Sequence, residues 1–393
     1  MNHPIGDMLW MRCRSGARAS SDLKPVEGTM SREVFLVGMD FGSFKTSVVA
    51  SNGKRETLLT AVGWPKDHVA RSLLQRDVVF GTDIVRQRLA LNVVRPFAKG
   101  ALKYLDNDQS GVTTADLAQR QRAAKLLVEH VIGLVEPPSD ALIFGVVGAP
   151  SRASNVSKRL LIEAVRGVFD AVVIVAEPFT VAYSMNRLME TLVVDIGAGT
   201  IDICPIYGTY PKEEDQVTLP VGGDAIDEAF CNSLRKMYPE MQLSLNMARE
   251  IKEKHGFVHD LNEHIVVSLP VSGVPTPFDV TDALKDACQS VVAPIVDGIR
   301  EVIARFDPEF LRPMLNNILL GGGGSQLRGL DRLLEQSLQP LGGATVTKVY
   351  DSVFAGAVGA LKLAMNMPTQ NWEQLRSADA PRETETRPLT RAA

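Results

Sequence analysis

The chain has 393 residues, 45% hydrophobic and 22% charged, enough for two or three domains with sizeable cores. Its formal net charge of −4 excludes nucleic-acid binding that rests mainly on electrostatics, and no nucleic-acid partner is expected. No apolar run reaches the roughly 18 residues of a membrane span. The scattered Cys13, Cys204, Cys231 and Cys288 read as reduced thiols of a cytoplasmic protein.

Residues 1–32 are expected to be a disordered leader, because the apolar stretch at Met8 is too short and interrupted for a secretory signal. A weak basic anchor is the other reading of this leader. Residues 33–49 then read as a β-hairpin that continues into 57–62. Gly63-Trp64-Pro65 breaks the pattern, and a mixed segment runs to about Arg95-Pro96. Residues 113–135 read as a helix capped by Thr113, with Leu117, Leu127, Val131 and Leu134 on one face and Pro137-Pro138 as its stop. Strand 141–148, helix 155–168, strand 171–175 and helix 178–188 lead into a second hairpin at 191–205. Residues 243–255 are predicted helical, and 264–269 with 278–280 form a small β addition. Helix 281–306 is expected to be interrupted at Pro294. Strand 318–320 ends in four glycines, with helices at 327–338 and 353–365. From Pro368 onward the composition predicts a disordered tail. Strands alternating with helices give an α/β class with mixed sheets flanked by helices.

One phrase occurs twice: Val37-Gly-Met-Asp40-Phe-Gly42-Ser43-Phe44-Lys45-Thr46 and Val194-Asp195-Ile-Gly197-Ala198-Gly199-Thr200-Ile-Asp202. Each sets an apolar strand against an Asp, a Gly two positions on, small or hydroxyl residues, and a second strand. Such a turn exposes backbone N–H groups as an anion-binding concavity beside a carboxylate. Two copies predict a duplicated fold whose phosphate turns face each other across a cleft. Asp40 and Asp195 at strand ends suit Mg2+, which keeps several of its waters. Glu177, where a buried strand meets a helix, suits a carboxylate that orients attacking water in phosphoryl transfer. Asp195 is counted with it among the catalytic acids. Gly322, Gly323 and Gly324 clear one surface ahead of a helix N-terminus that favours phosphate or ribose. By contrast His255, His259 and His264 read as solvated loop residues. Arg120, Arg122 and Lys125 form a wet helix face, and Val291, Ile295, Ile299 and Ile303 are core.

The order of first hairpin, Glu177-Pro178 helix, second hairpin, Gly-rich loop and terminal helix resembles the actin, sugar kinase and heat-shock chaperone superfamily. Residues 320–334 (LGGGGSQLRGLDRLL) resemble the adenosine loop of MreB-type bacterial actins. The segments starting at Val62, Gly148 and Glu214 narrow the likeness to a magnetosome-associated branch of them. The resemblance implies an actin-like fold of two duplicated lobes around a nucleotide cleft. Domain I would be 33–176 with 340–366 and an insertion at about 65–97; domain II would be 177–339 with an insertion at about 223–285; 367–393 would be tail. It also implies ATP/ADP with Mg2+ as cofactors, ATP hydrolysis, and head-to-tail filaments along magnetosomes with membrane-bound adaptors. Asp40, Gly42, Ser43, Phe44 and Lys45 would meet phosphates and metal from one lobe; Asp195, Gly197, Ala198, Gly199 and Thr200 would do so from the other. Gly222, Gly223 and Asp224 match a nucleotide-side loop, Lys252 matches a lysine along the adenosine, and Gly322–Gly324 would pack under the adenine.

Three departures stand out. Ser157 occupies the place of an MreB-type glutamate, Lys45 that of a small or amide residue, and Ala-Arg249-Glu-Ile-Lys252 replaces Ala-Glu-Arg-x-Lys. A small-molecule kinase of the same fold, and a poorly hydrolysing scaffold, are the alternative functions. A chaperone module would need a peptide-binding domain after the final helix.

Overall fold

The computed structural model describes residues 32–97, 114–151, 155–260 and 262–377, together with the short strand Leu9–Met11. The first lobe contains β1 (Leu9–Met11), β2 (Val34–Phe41), β3 (Lys45–Ala50) and β4 (Arg55–Leu59). A side hairpin of β5 (Val62–Pro65) and β6 (Leu91–Val94) follows, then β7 (Leu142–Ala149) and β8 (Ala171–Ala176). The second lobe contains β9 (Thr191–Ile196), β10 (Ile201–Ile206), β11 (Val217–Leu219), the pair β12 (Val266–Val271) and β13 (Val274–Asp279), β14 (Ile318–Gly321) and β15 (Val346–Lys348).

The two sheets are copies of one another. The first runs β1-β8-β7-β2-β3-β4 and the second β15-β14-β9-β10-β11. In each, a hairpin (β2–β3, β9–β10) is antiparallel and extended by an antiparallel edge (β4, β11). Two parallel strands (β7 and β8, β14 and β15) complete it on the other side. Thus β15 holds the place in the second lobe that β8 holds in the first. The lobe boundary expected at 340 is therefore corrected to a point beyond Lys348, because the parallel ladder Ile318↔Val346 to Leu320↔Lys348 ties that strand to the second sheet. β1 has no counterpart; it lies antiparallel on β8, within the segment expected as a leader.

Strands buried on both faces need helices on both faces. Val37, Met39 and Phe41 of β2 meet Leu127, Val131 and Leu160 of the helices Thr114–Leu134 and Asn155–Val165. Across the sheet, Phe144 and Val146 pack with Ala360, Ala364, Trp372 and Leu375. The last two belong to a helix, Thr369–Ser377, which corrects the expected disordered tail: Trp372 stacks on Phe144 with ring centroids 5.2 Å apart. The polar composition of 367–393 hid two apolar residues at helical spacing; residues 378–393 lie outside the described region. In the second lobe, Val194, Ile196, Ile201 and Ile203 pack on the helices Gly223–Met237, Thr281–Gln289, Val292–Ile303 and Leu330–Ser337. The break expected at Pro294 falls at 290–291, and Pro294 sits in the first turn of the new helix, where its missing N–H costs nothing.

Two helices change lobes. Glu177–Ser184 leaves β8 and packs on the second sheet against Val193, Cys204 and Leu319. Ala355–Asn366 follows β15 and packs on the first sheet. They cross with almost no gap: a Cβ on Gly359 would lie 1.7 Å from the Thr180 carbonyl oxygen, and one on Gly38 of β2 would lie 2.1 Å from the Leu361 nitrogen.

Candidate functional site

The site grows out of the two hairpins. In the second, the Gly197 N–H donates to the Thr200 carbonyl at 2.9 Å and closes the turn. The turn tips meet: a Cβ on Gly199 would stand 3.2 Å from Ser43 Oγ, so this glycine is what lets the two lobes approach. Gly222–Asp224 lies against the second turn, with Gly223 N–H donating to Gly197 O (3.0 Å) and Asp224 N–H to Ala198 O (2.8 Å). Lys252 Nζ donates to Gly223 O at 2.8 Å and pairs with Asp227 at 2.6 Å. The structure therefore brings Gly42–Lys45, Gly197–Thr200, Gly222–Asp224 and Lys252 into one region.

Four carboxyl groups lie close together beside it. Asp40 ends β2 beside the first residues of helix Ala355–Asn366, where a Cβ on Gly356 would lie 2.4 Å from Oδ2. Glu177 opens the other crossing helix over Gly148, the ladder partner of Asp40. Asp195 faces Gly321 across the β9–β14 ladder and Asp202 across the hairpin. Asp202 stood inside the repeated phrase without an assigned role; its cross-strand register with Asp195 was the signal. Thr218 and Thr200 donate to it at 2.5 and 3.2 Å.

Burial, reinforced by the like charges of Asp40 and Asp202, pushes the Asp195 carboxyl up to about 8. Burial alone raises Asp40 to about 7. Glu177 is held well above the ordinary range by burial and then by Asp40, Asp195 and Asp202, and burial also raises Asp202. Among the described residues none of the four has a cationic side chain as partner, and Glu177 Oε1 is buried without a hydrogen bond. No three of them converge closely enough to grip one ion directly. A hydrated Mg2+ held mostly through its waters fits this donor set.

These shifts carry a stability prediction. Carboxyls raised in the folded state bind more protons than the unfolded chain between about pH 4 and pH 8, so stability falls as pH rises through that window. In EDTA the protein is expected to melt at progressively lower temperature from pH 5 to pH 8, and Mg2+ with nucleotide should restore most at the alkaline end. A flat melting profile in scanning fluorimetry would contradict this.

The glycine loop serves packing as well as space. Gly322 has φ +73°, and a Cβ there would lie 2.4 Å from Asp195 Oδ1; one on Gly324 would lie 2.1 Å from Ile196 Cγ2. Only Gly323 faces open space. The loop is followed by the 3₁₀ turn Gly323–Gln326, and the α-helix starts at Leu330. This corrects the expectation of a helix N-terminus directly behind the glycines, because Ser325 Oγ turns back to Gly322 O at 2.7 Å. The Ser157 side chain lies outside the described residues. His264 pairs with Asp279 at 2.6 Å and His259 Nδ1 meets Arg328 O at 3.2 Å. Sequence reasoning also missed Arg95, Asp227 and the placement of Arg249, which lie far apart in the chain.

The family described as MreB/Mbl protein matches residues 85–369. The actin-like protein MamK of Paramagnetospirillum magneticum is 38% identical over 349 residues, 89% of this chain and 97% of that protein. The structure of a MamK double helical filament superposes with a TM-score of 0.79 at 36% identity, covering 86% of this chain and all of the other. A non-polymerising MamK mutant bound to AMPPNP superposes with a TM-score of 0.65 at 36% identity, covering 85% of this chain and all of the other.

Proposed function

This chain belongs to the MreB/Mbl family and has an actin-like fold, and from that premise we propose that it binds ATP with Mg2+ between its lobes, hydrolyses it, and assembles with further copies of itself into cytoplasmic filaments. The observation that carries this is the pair of turns meeting beside four carboxyls, Asp195 and Asp202 buried and Asp40 and Glu177 half-buried, with no cationic partner among the described residues. The likeness to a MamK filament and to an AMPPNP-bound MamK mutant supports the assembly and the nucleotide class. A heterologous contact that does not close upon itself yields an open polymer.

In this reading the backbone N–H groups of Gly42–Lys45 and Gly197–Thr200 hold the phosphates. Asp40 and Asp195 would hold Mg2+, which would supply the positive charge that neutralises the phosphates. Gly222, Gly223, Asp224 and Lys252 border the sugar side, and Gly322–Gly324 the base. Glu177 orients the attacking water and takes up its proton; positioning and charge neutralisation dominate this chemistry. The MamK likeness extends the proposal to filaments that organise magnetosomes through membrane-bound adaptors.

The test uses the full chain with Mg-ATP, with ADP, and with ATP in EDTA. Light scattering and high-speed pelleting are expected with Mg-ATP alone, with filaments in negative stain. Monomeric turnover stimulated by an added sugar would instead make it a small-molecule kinase.

A further inference from the structure

A set of side chains ties the lobes together over the cleft, and phosphate binding does not require it. The Arg249 guanidinium stacks 4.0 Å from the centroid of the Phe44 ring, and Arg95 lies 5.0 Å from the same ring. Phe44 and Arg95 belong to the first lobe. Arg249 belongs to the helix Leu245–His255 of the second. On the same helix face, Glu253 meets Lys45 at 3.6 Å, and Arg95 joins Ser43 O (3.1 Å) to Asp224 Oδ2 (4.0 Å).

Arg249 has ion-pair partners of its own besides Phe44. It is only 13% exposed, and Asp224 and Asp227 hold it at 2.9 and 3.0 Å. Lys252 grips the other oxygen of Asp227. A phosphate turn acts through backbone N–H groups and needs no aromatic ring. Nor does Lys45 turn inward to add charge to the turn; it faces Glu253. The ring at position 44 therefore has a job of its own, and its one built partner across the cleft is a guanidinium with little water around it. That is the setting in which a cation–π contact is strongest.

We propose that Arg249 is a positioning residue which, by stacking on Phe44, draws the first phosphate turn against the second lobe, holds the cleft shut and slows nucleotide release. This rests on the nucleotide reading given above. The ring and the guanidinium sit on different lobes, so their contact exists only while the cleft is closed. Opening must break it, together with the weaker Arg95–Asp224 and Lys45–Glu253 pairs.

Phe44→Leu is the informative change, because it removes the ring face and leaves the ion pairs of Arg249 untouched. Dissociation of a fluorescent ADP analogue, chased with excess ATP in dilute unpolymerised protein, is expected to accelerate about five- to thirtyfold. Phe44→Tyr keeps the ring face and should recover most of the slow release that Phe44→Leu loses. A second readout needs no nucleotide. Spin labels at Ser72→Cys and Lys236→Cys, with Cys13→Ser, report the separation of the lobes by pulsed EPR. Phe44→Leu should move that distribution to longer distances, and Phe44→Tyr should not. Unchanged release from a Phe44→Leu protein that binds the analogue overturns the proposal. If the parent protein binds no nucleotide, the reading of the site falls, and the distances then decide the contact: a shift upholds its lobe-holding role and an unchanged distribution overturns it.

Discussion

Glu177→Gln is expected to slow phosphate release from ATP by about 10²- to 10³-fold while leaving ATP-dependent pelleting in place. Glutamine keeps the volume of the side chain, so its Cγ still packs at the contact that a Cβ on Gly148 would make at 3.3 Å. It also keeps a carbonyl that can accept a hydrogen bond from water. What it loses is the capacity to take a proton. Burial and then three neighbouring carboxyls hold the Glu177 carboxyl well above its ordinary range, and the charge of a bound cation would draw it back toward the range in which it acts as a base. Filaments of the variant should therefore assemble with ATP and persist, since the weakening that hydrolysis brings is absent. A phosphate-release assay beside a pelleting time course checks both halves. Hydrolysis at the parental rate would remove Glu177 from its assigned role. Asp195→Asn is expected to differ in kind: it alters the cation site itself, so nucleotide-dependent pelleting should be lost with turnover.

The second large effect lies where the two connecting helices cross. Gly359→Ala is expected to cost about 3 kcal/mol of folding stability or more. Two terms of opposite sign compete. Alanine is favoured over glycine within a helix by about 1 kcal/mol. Against this, the added methyl would stand 1.7 Å from Thr180 O and 3.0 Å from Ser184 N, both backbone atoms that cannot swing aside. The helices must part, which disturbs Val181 and Ala182 on one side and Ala360 on the other, all buried. Overpacking wins. Gly133→Ala, in an exposed helical position with nothing within 4 Å of the new Cβ, serves as the control and should be neutral or stabilising by up to about 1 kcal/mol. Urea unfolding monitored by far-ultraviolet circular dichroism separates the two; equal midpoints would contradict the close crossing.

Much of this architecture is legible in the sequence, and the reasons are physical. The repeated Asp-x-Gly phrases are readable because a turn that offers N–H groups beside a carboxylate needs small residues at fixed spacing. Strands such as 171–176, unbroken runs of Ala, Val and Ile, announce burial on both faces. What stayed hidden depends on contacts through space. Asp202 looks like one more strand residue until the ladder sets it opposite Asp195. Arg95, Asp224 and Arg249 lie in three separate stretches of chain, and no periodicity joins them. The strand 346–348 is three residues long, too short to show which sheet it joins. The helix at 369–377 is marked only by Trp372 and Leu375, whose burial depends on Phe144 more than two hundred positions earlier. Polar composition and short length mislead in these places because tertiary packing, not local preference, decides them.

The crossing at Gly359 also sets what kind of motion the molecule permits. Two helices whose backbones touch leave no cushion of side chains between them to shear, so sliding of one lobe past the other meets atoms at once. Tilting about the point of contact meets far less. The molecule is thus built as a pair of levers on one fulcrum, in which a small movement beside Asp40 and Asp195 would be magnified at the outer ends of the lobes, where the next subunit of a polymer would sense it.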